Sequence, residues 1–144
     1  YKRQLLNLIS MTQVILKQYN RPKEGDVEKD IGWFCDSFGL TTGRDTQYTA
    51  NRIVFDILEQ ASKNRRVFSE TIADNLELSQ NLINHHIRNL INSGIVIRER
   101  KQILIRGGSL TEAVKEIKKD ALRILDSIEA IGMEIDEELG LKNR

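Results

Sequence analysis

The chain has 144 residues, with 22 Lys and Arg against 21 Asp and Glu, 40% hydrophobic residues and a single cysteine. That length suits one domain with appendages, whose core needs no disulfides. The lone Cys35 excludes an internal disulfide framework and offers no metal-ligand spacing; a reducing compartment is the natural reading, with Cys35 as a small buried apolar residue. No run of about 18 uncharged apolar residues exists and the N-terminus has no leader-like pattern, so a soluble, cytoplasmic chain with no membrane partner is expected.

The net charge of +1 says little, but its distribution says more. Residues 1–62 hold eight basic and eight acidic side chains, 63–106 hold eight and four, and 107–144 hold six and nine. A polyanion would attract the middle segment and repel the last.

The first predicted element is a helix from Lys2 to Tyr19, with Leu5, Leu6, Ile9, Ile15, Leu16 and Tyr19 on a broad apolar stripe, stopped by Asn20, Arg21 and Pro22. A connector follows in which Asp26 caps a short helix bearing Val27, Ile31, Phe34, Cys35 and Phe38, closed by Gly39. Its Trp33 and two phenylalanines make it a packed segment and not a free linker. Residues 1–48 therefore form an N-terminal helix with a helical connector.

The second unit, residues 49–108, opens with Thr49 capping a helix that carries Ile53, Val54, Ile57, Leu58 and Ala61. From Ser69 to Gly94 the chain reads SETIADNLELSQNLINHHIRNLINSG. Here Ile72, Ala73, Leu76, Leu78, Ile83, Ile87 and Leu90 keep one side of each of two short helices against a core. Ser69 and Ser79 are the expected caps and Gly94 the stop. Ile95 to Arg100 and Ile103 to Arg106 read as two short strands joined at Lys101 and Gln102. Their turn lacks Asn-Gly or Gly-Gly, which leaves the register open by a residue or two. Three helices followed by a hairpin make a mainly α fold with a small β-hairpin, a winged helix-turn-helix, flanked by long N- and C-terminal dimerisation helices.

In the third unit, residues 109–144, Ser109 and Glu112 form a capping box. From there Leu110, Val114, Ile117, Ala121, Ile124, Ile128, Ile131 and Ile135 recur at alternating steps of four and three, a heptad seam. A helix over those 26 residues runs about 39 Å, long for one small domain. A homodimer interface is the preferred reading; folding back on its own domain is the alternative, and strand number and orientation stay open.

The side chains that the second helix of the pair does not need for its core are chemically distinctive. Gln80, Asn81, Asn84, His85, Arg88 and Asn89 are amides, an imidazole and a guanidinium, suited to base edges and phosphates. Asn or Gln pairs with adenine and Arg with guanine, each good bidentate pair contributing about 1 to 3 kcal/mol of discrimination. Arg65, Arg66, Arg98, Arg100 and Lys101 suit the phosphate backbone, adding salt-sensitive affinity with little sequence choice. His86 is expected to pack at the helix edge.

The run LSQNLINHHIRNLINSGIV, Leu78 to Val96, resembles the recognition-helix segment of the bacterial and archaeal winged-helix repressors of the ArsR and MarR type. Ser79 stands as the cap, Gln80 and Asn81 as the polar pair, then Ile83, Asn84 and His85, Ile87 with Leu90, and Gly94 before the first strand. The resemblance spans Ile53 to Arg106. It implies a homodimer on a two-fold operator in double-stranded DNA, with Gln80, Asn81, Asn84, His85 and Arg88 in the major groove and Arg98, Arg100, Lys101 and Gln102 in the wing. ArsR-type metal sensors carry cysteine or histidine clusters, whereas this chain has Cys35 and the pair His85 and His86, so metal sensing, and any cofactor, is not expected.

Catalysis finds little support. Adjacent histidines splay about 100 degrees apart on a helix and do not share a metal as an i, i+4 pair does. No oriented acid or oxyanion site accompanies Ser79 and His85, and the glycines form no phosphate-binding loop. The rival to a DNA-binding regulator is a winged helix used as a protein–protein interaction module in a larger assembly. An effector site, its ligand unknown, would lie between the connector around Trp33 to Tyr48 and the long helices.

Overall fold

The computed structural model describes residues 15–23, 25–41 and 48–141. Among these are five α-helices and one antiparallel hairpin: α1 (Val27–Ser37), α2 (Thr49–Ser62), α3 (Ser69–Leu76), α4 (Gln80–Ser93), β1 (Val96–Glu99), β2 (Gln102–Ile105), a 3-10 turn (Arg106–Gly108) and α5 (Leu110–Leu139). The fold is a winged helix-turn-helix, α2–α3–α4 and the β1–β2 wing, with a long helix after it. No helix among the described residues is long and apolar enough to cross a membrane.

Isoleucine dominates the core. Ile53 and Ile57 on α2, Ile72 on α3, Ile83 and Ile87 on α4, and Ile95 and Ile103 in the wing are all buried, joined by Leu90 and by Ile31 and Cys35 of α1. Each lies on the apolar stripe that its element's periodicity predicts.

Helix ends depart from the expected caps in two places. Thr49 is the first helical residue of α2, and its cap is Tyr48 in the left-handed region (φ 54°), with no side-chain cap hydrogen bond. Ser69 likewise opens α3 behind Phe68, and its hydroxyl accepts a hydrogen bond from Gln80 Nε2 instead (2.8 Å). The other caps match. Asp26 accepts from the Glu28 amide (2.9 Å), Ser79 from the Leu82 amide (3.2 Å) and Ser109 from the Glu112 amide (3.2 Å). The Glu112 carboxylate pairs with Lys115. Gly94 ends α4 at φ 86°, where Ile95 N donates to Leu90 O and Gly94 N to Ile91 O, a glycine-centred Schellman motif.

The predicted helix from Lys2 to Tyr19 is corrected over its described part, since residues 15–19 have no regular secondary structure. The rest of it lies outside the described residues. The physical cause is competition for the backbone: Lys17 N donates to Ser37 O (2.8 Å) and Tyr19 O accepts from Trp33 Nε1 (3.1 Å), so this segment is tied to α1.

The wing is registered Val96 to Ile105 and Glu99 to Gln102, which makes Arg100 and Lys101 the turn, one residue earlier than expected. Both sit at positive φ (49° and 69°), as a two-residue type I′ turn requires. A third, minimal strand escaped the sequence reading. Val67 O accepts from Ile103 N (2.7 Å) and Phe68 bridges Gln102, so the α2–α3 link zips onto the wing.

The heptad seam of α5 is divided. Ala113, Ile117 and Asp120 are buried on the winged body, whereas Ile124, Ile128, Ile131 and Ile135 are exposed. Arg106 Nη1 stands 2.6 Å from Asp120 Oδ2, an ion pair outside hydrogen-bond angles, and Arg123 pairs with the other Asp120 oxygen. With Asp120 only 4% exposed, this clasp ties α5 to the end of the wing.

Candidate nucleic-acid interface

α4 is seated by Ile83, His86, Ile87 and Leu90, all buried. A helical residue advances about 100 degrees, so the opposite side carries Asn81, His85, Arg88 and Asn92, and these four are exposed. Gln80 and Asn84 flank that stripe on one side, Leu82 and Asn89 on the other. Asn92 was missed by the sequence reading. The signal was available, since it continues the series four residues after Arg88 and seven after His85.

His86 packs inward, and its ring meets that of His85 edge-on at 5.5 Å between centroids. The imidazole presented to solvent is therefore that of His85.

Gln80 has a role that the spacing did not reveal. Its Nε2 donates both to Ser69 Oγ (2.8 Å) and to Asn84 Oδ1 (3.3 Å). It thereby ties the start of α3 to the start of α4 across the turn, and it engages the amide oxygen of Asn84, leaving that residue's N–H groups as donors. A second set of contacts holds α3 from behind: Arg52 Nη2 donates to Leu76 O (3.2 Å) and Asn75 Nδ2 to Asp56 (3.2 Å).

The turn between the two helices is itself a Schellman motif without glycine. Leu78 N donates to Ala73 O and Glu77 N to Asp74 O, with Glu77 in the left-handed region (φ 54°).

Of the cations expected on phosphates, Arg65 and Arg66 are exposed in the link before α3, and Arg98, Arg100 and Lys101 are exposed on the wing. Gln102 is half-buried where it bridges Phe68. One feature reduces the basic excess of residues 63–106: Arg106 is paired with Asp120 from outside that segment. Glu99, one of the four acids already counted there, is exposed at the wing tip.

The region around Trp33 and Tyr48, where an effector site was expected, borders a cleft. A volume of about 990 Å³ opens between α1 with the segment before it and the outer side of α2, and Trp33, Tyr48 and Phe55 are among its lining residues. Its α2 wall includes Arg52 and Asp56, the side chains that hold α3.

Residues 51–97 match the winged helix-turn-helix DNA-binding family. The matched span runs from Asn51 in α2 through α3 and α4 to the start of β1; it supports the winged-helix class and reaches no subfamily of ArsR or MarR type. Neither a curated protein nor a solved structure matches the chain.

Proposed function

We propose that the protein is a sequence-specific double-stranded DNA-binding transcriptional regulator acting as a homodimer, with α4 in the major groove. The observation that carries this reading is the polar, exposed stripe Asn81, His85, Arg88 and Asn92 on a helix rigidly seated by its other side, within the span matched to DNA-binding winged helices. Arg88 is suited to bidentate contact with guanine, and Asn81 and His85 to base edges or phosphates near the helix start. Asn84, its oxygen engaged by Gln80, contributes N–H donors toward purine N7, O6 or phosphate acceptors. Gln80 acts by holding Asn84 and locking the helix pair.

Arg98, Arg100 and Lys101 on the wing, with Arg65 and Arg66, lie on flanking phosphates, where they add affinity and little sequence choice. Residues 49–108 are the reading unit, residues 1–48 a packed appendage, and residues 109–144 the dimerisation unit, supported by the exposed isoleucines of α5.

The test is direct. The purified protein binds genomic duplex fragments with an affinity that falls steeply between about 50 and 200 mM salt, as counterion release requires. Salt-insensitive or absent binding sinks the reading and favours a protein-contact role for the winged body.

A further inference from the structure

Beyond the buried start of α5, the helix presents a continuous apolar face. Ile124, Leu125, Ile128, Ile131, Ile135 and Leu139 are all at least two-fifths exposed. Heptad positions continue at Ala121, Ile128 and Ile135 in one series and at Ile124, Ile131 and Glu138 in the other. Residues 121–138 form a rod of about 27 Å.

The charges along that rod are segregated. Between Asp126 and Leu139 all six charged side chains are acidic: Asp126, Glu129, Glu134, Asp136, Glu137 and Glu138. The preceding turns carry Lys115, Lys118, Lys119 and Arg123, against Glu116 and the buried, paired Asp120. Two such helices side by side in the same direction bring six carboxylates against six at an axial spacing of about 8 to 10 Å, and set Glu138 against its own copy in a core layer. Reversing one helix removes the second conflict and reduces the first to Asp126 and Glu129 at the middle of the rod. Asp136, Glu137 and Glu138 of each copy then lie beside Arg123 and toward Lys118 and Lys119 of the other, and Glu138 meets the small Ala121.

We infer that two copies of the chain pair through residues 121–138 of α5 in antiparallel order, with Ile128 of one packed on Ile131 of the other and Ile124 on Ile135. In this register Leu125 also stands over Gly132 of the second copy, where a glycine side leaves open space. The two winged bodies lie at opposite ends of the rod. The inference rests on the homodimer reading and adds to it the orientation and register of the helices.

The test uses the full-length chain with Ile124→Cys or Ile135→Cys, each alone and the two co-expressed, under mild oxidation, with the unsubstituted chain alongside as the background from Cys35. Co-expression yields a covalent dimer that is lost when either variant is made alone. Covalent dimers of a single variant, Ile135→Cys with itself, mean a parallel pair and overturn the inference. A dimer by sedimentation that gives no covalent product in any sample overturns the inference while leaving the homodimer intact. A monomer at all concentrations overturns both, and assigns the face to residues 1–14 of the same chain or to another protein.

Discussion

Gln80 is among the side chains expected on DNA, and its amide also spans Ser69 and Asn84. On the proposed function, Gln80 positions Asn84 while Asn84 and Arg88 read bases. Replacing Asn84 and Arg88 together by alanine flattens sequence preference in a binding-site selection, whereas Lys101→Ala weakens all sequences alike and lowers the salt slope by about one. Equal effects from both would mean that α4 does not read bases. Glu77 poses a different question, because a non-glycine residue in the left-handed region carries a steric cost. Glu77→Gly raises the stability by about 1 kcal/mol in urea unfolding if that strain outweighs the backbone freedom that glycine adds to the unfolded chain. An unchanged or lower midpoint would show that the turn tolerates Glu77 without strain.

Among the elements, the wing and α5 are each held by a contact remote in sequence. Val67 receives the Ile103 amide, and Arg106 receives Asp120. The second is the more consequential, since removing one partner leaves a desolvated charge in place. Asp120→Ala costs about 3 kcal/mol, while Asp120→Leu combined with Arg106→Leu recovers most of it. A double variant no more stable than the single one would refute this account of the clasp. Nearer the start of α5 the other ion pairs contribute little, because they are solvated. Lys119 holds the exposed Glu116 carboxyl below the usual carboxylate range through a hydrogen bond. Whatever stabilisation that pair supplies is present at neutral pH, is lost as pH falls through the lowered value, and is screened by salt.

For the whole molecule, the winged body, the cleft behind α2 and the projecting half of α5 lie on one chain of contacts. Arg52 and Asp56 face the cleft and also hold α3, and α3 is tied to α4 through Ser69 and Gln80. α5 is clasped to the wing exit. The isoleucines beyond it, Ile124, Ile128, Ile131 and Ile135, are exposed. Substituting Ile128→Asp in the full-length chain leaves the winged body folded, because this residue contacts no part of the core. On the proposed homodimer it lowers DNA affinity, with a shift from dimer to monomer in sedimentation.

Much of this architecture was legible from local pattern. The apolar periodicities of α2 to α5, the Asp26, Ser79 and Ser109 caps, the Gly94 stop and the paired strands all follow from residue types within a few positions of one another, and periodicity and capping are local physics. The exceptions have a common cause: their partners come from elsewhere in the chain. Residues 15–19 carry a helical stripe yet spend their backbone on α1; Ser69 could cap a helix yet accepts from Gln80; Arg106 counts as a free cation by sequence yet is neutralised by Asp120. The heptad seam read as one surface, and only tertiary packing decided that Ile117 belongs to the core while Ile128 is exposed. Hydrophobic spacing determines which side of a helix is buried; what buries it, and how far along, depends on the neighbours that the folded chain brings within reach.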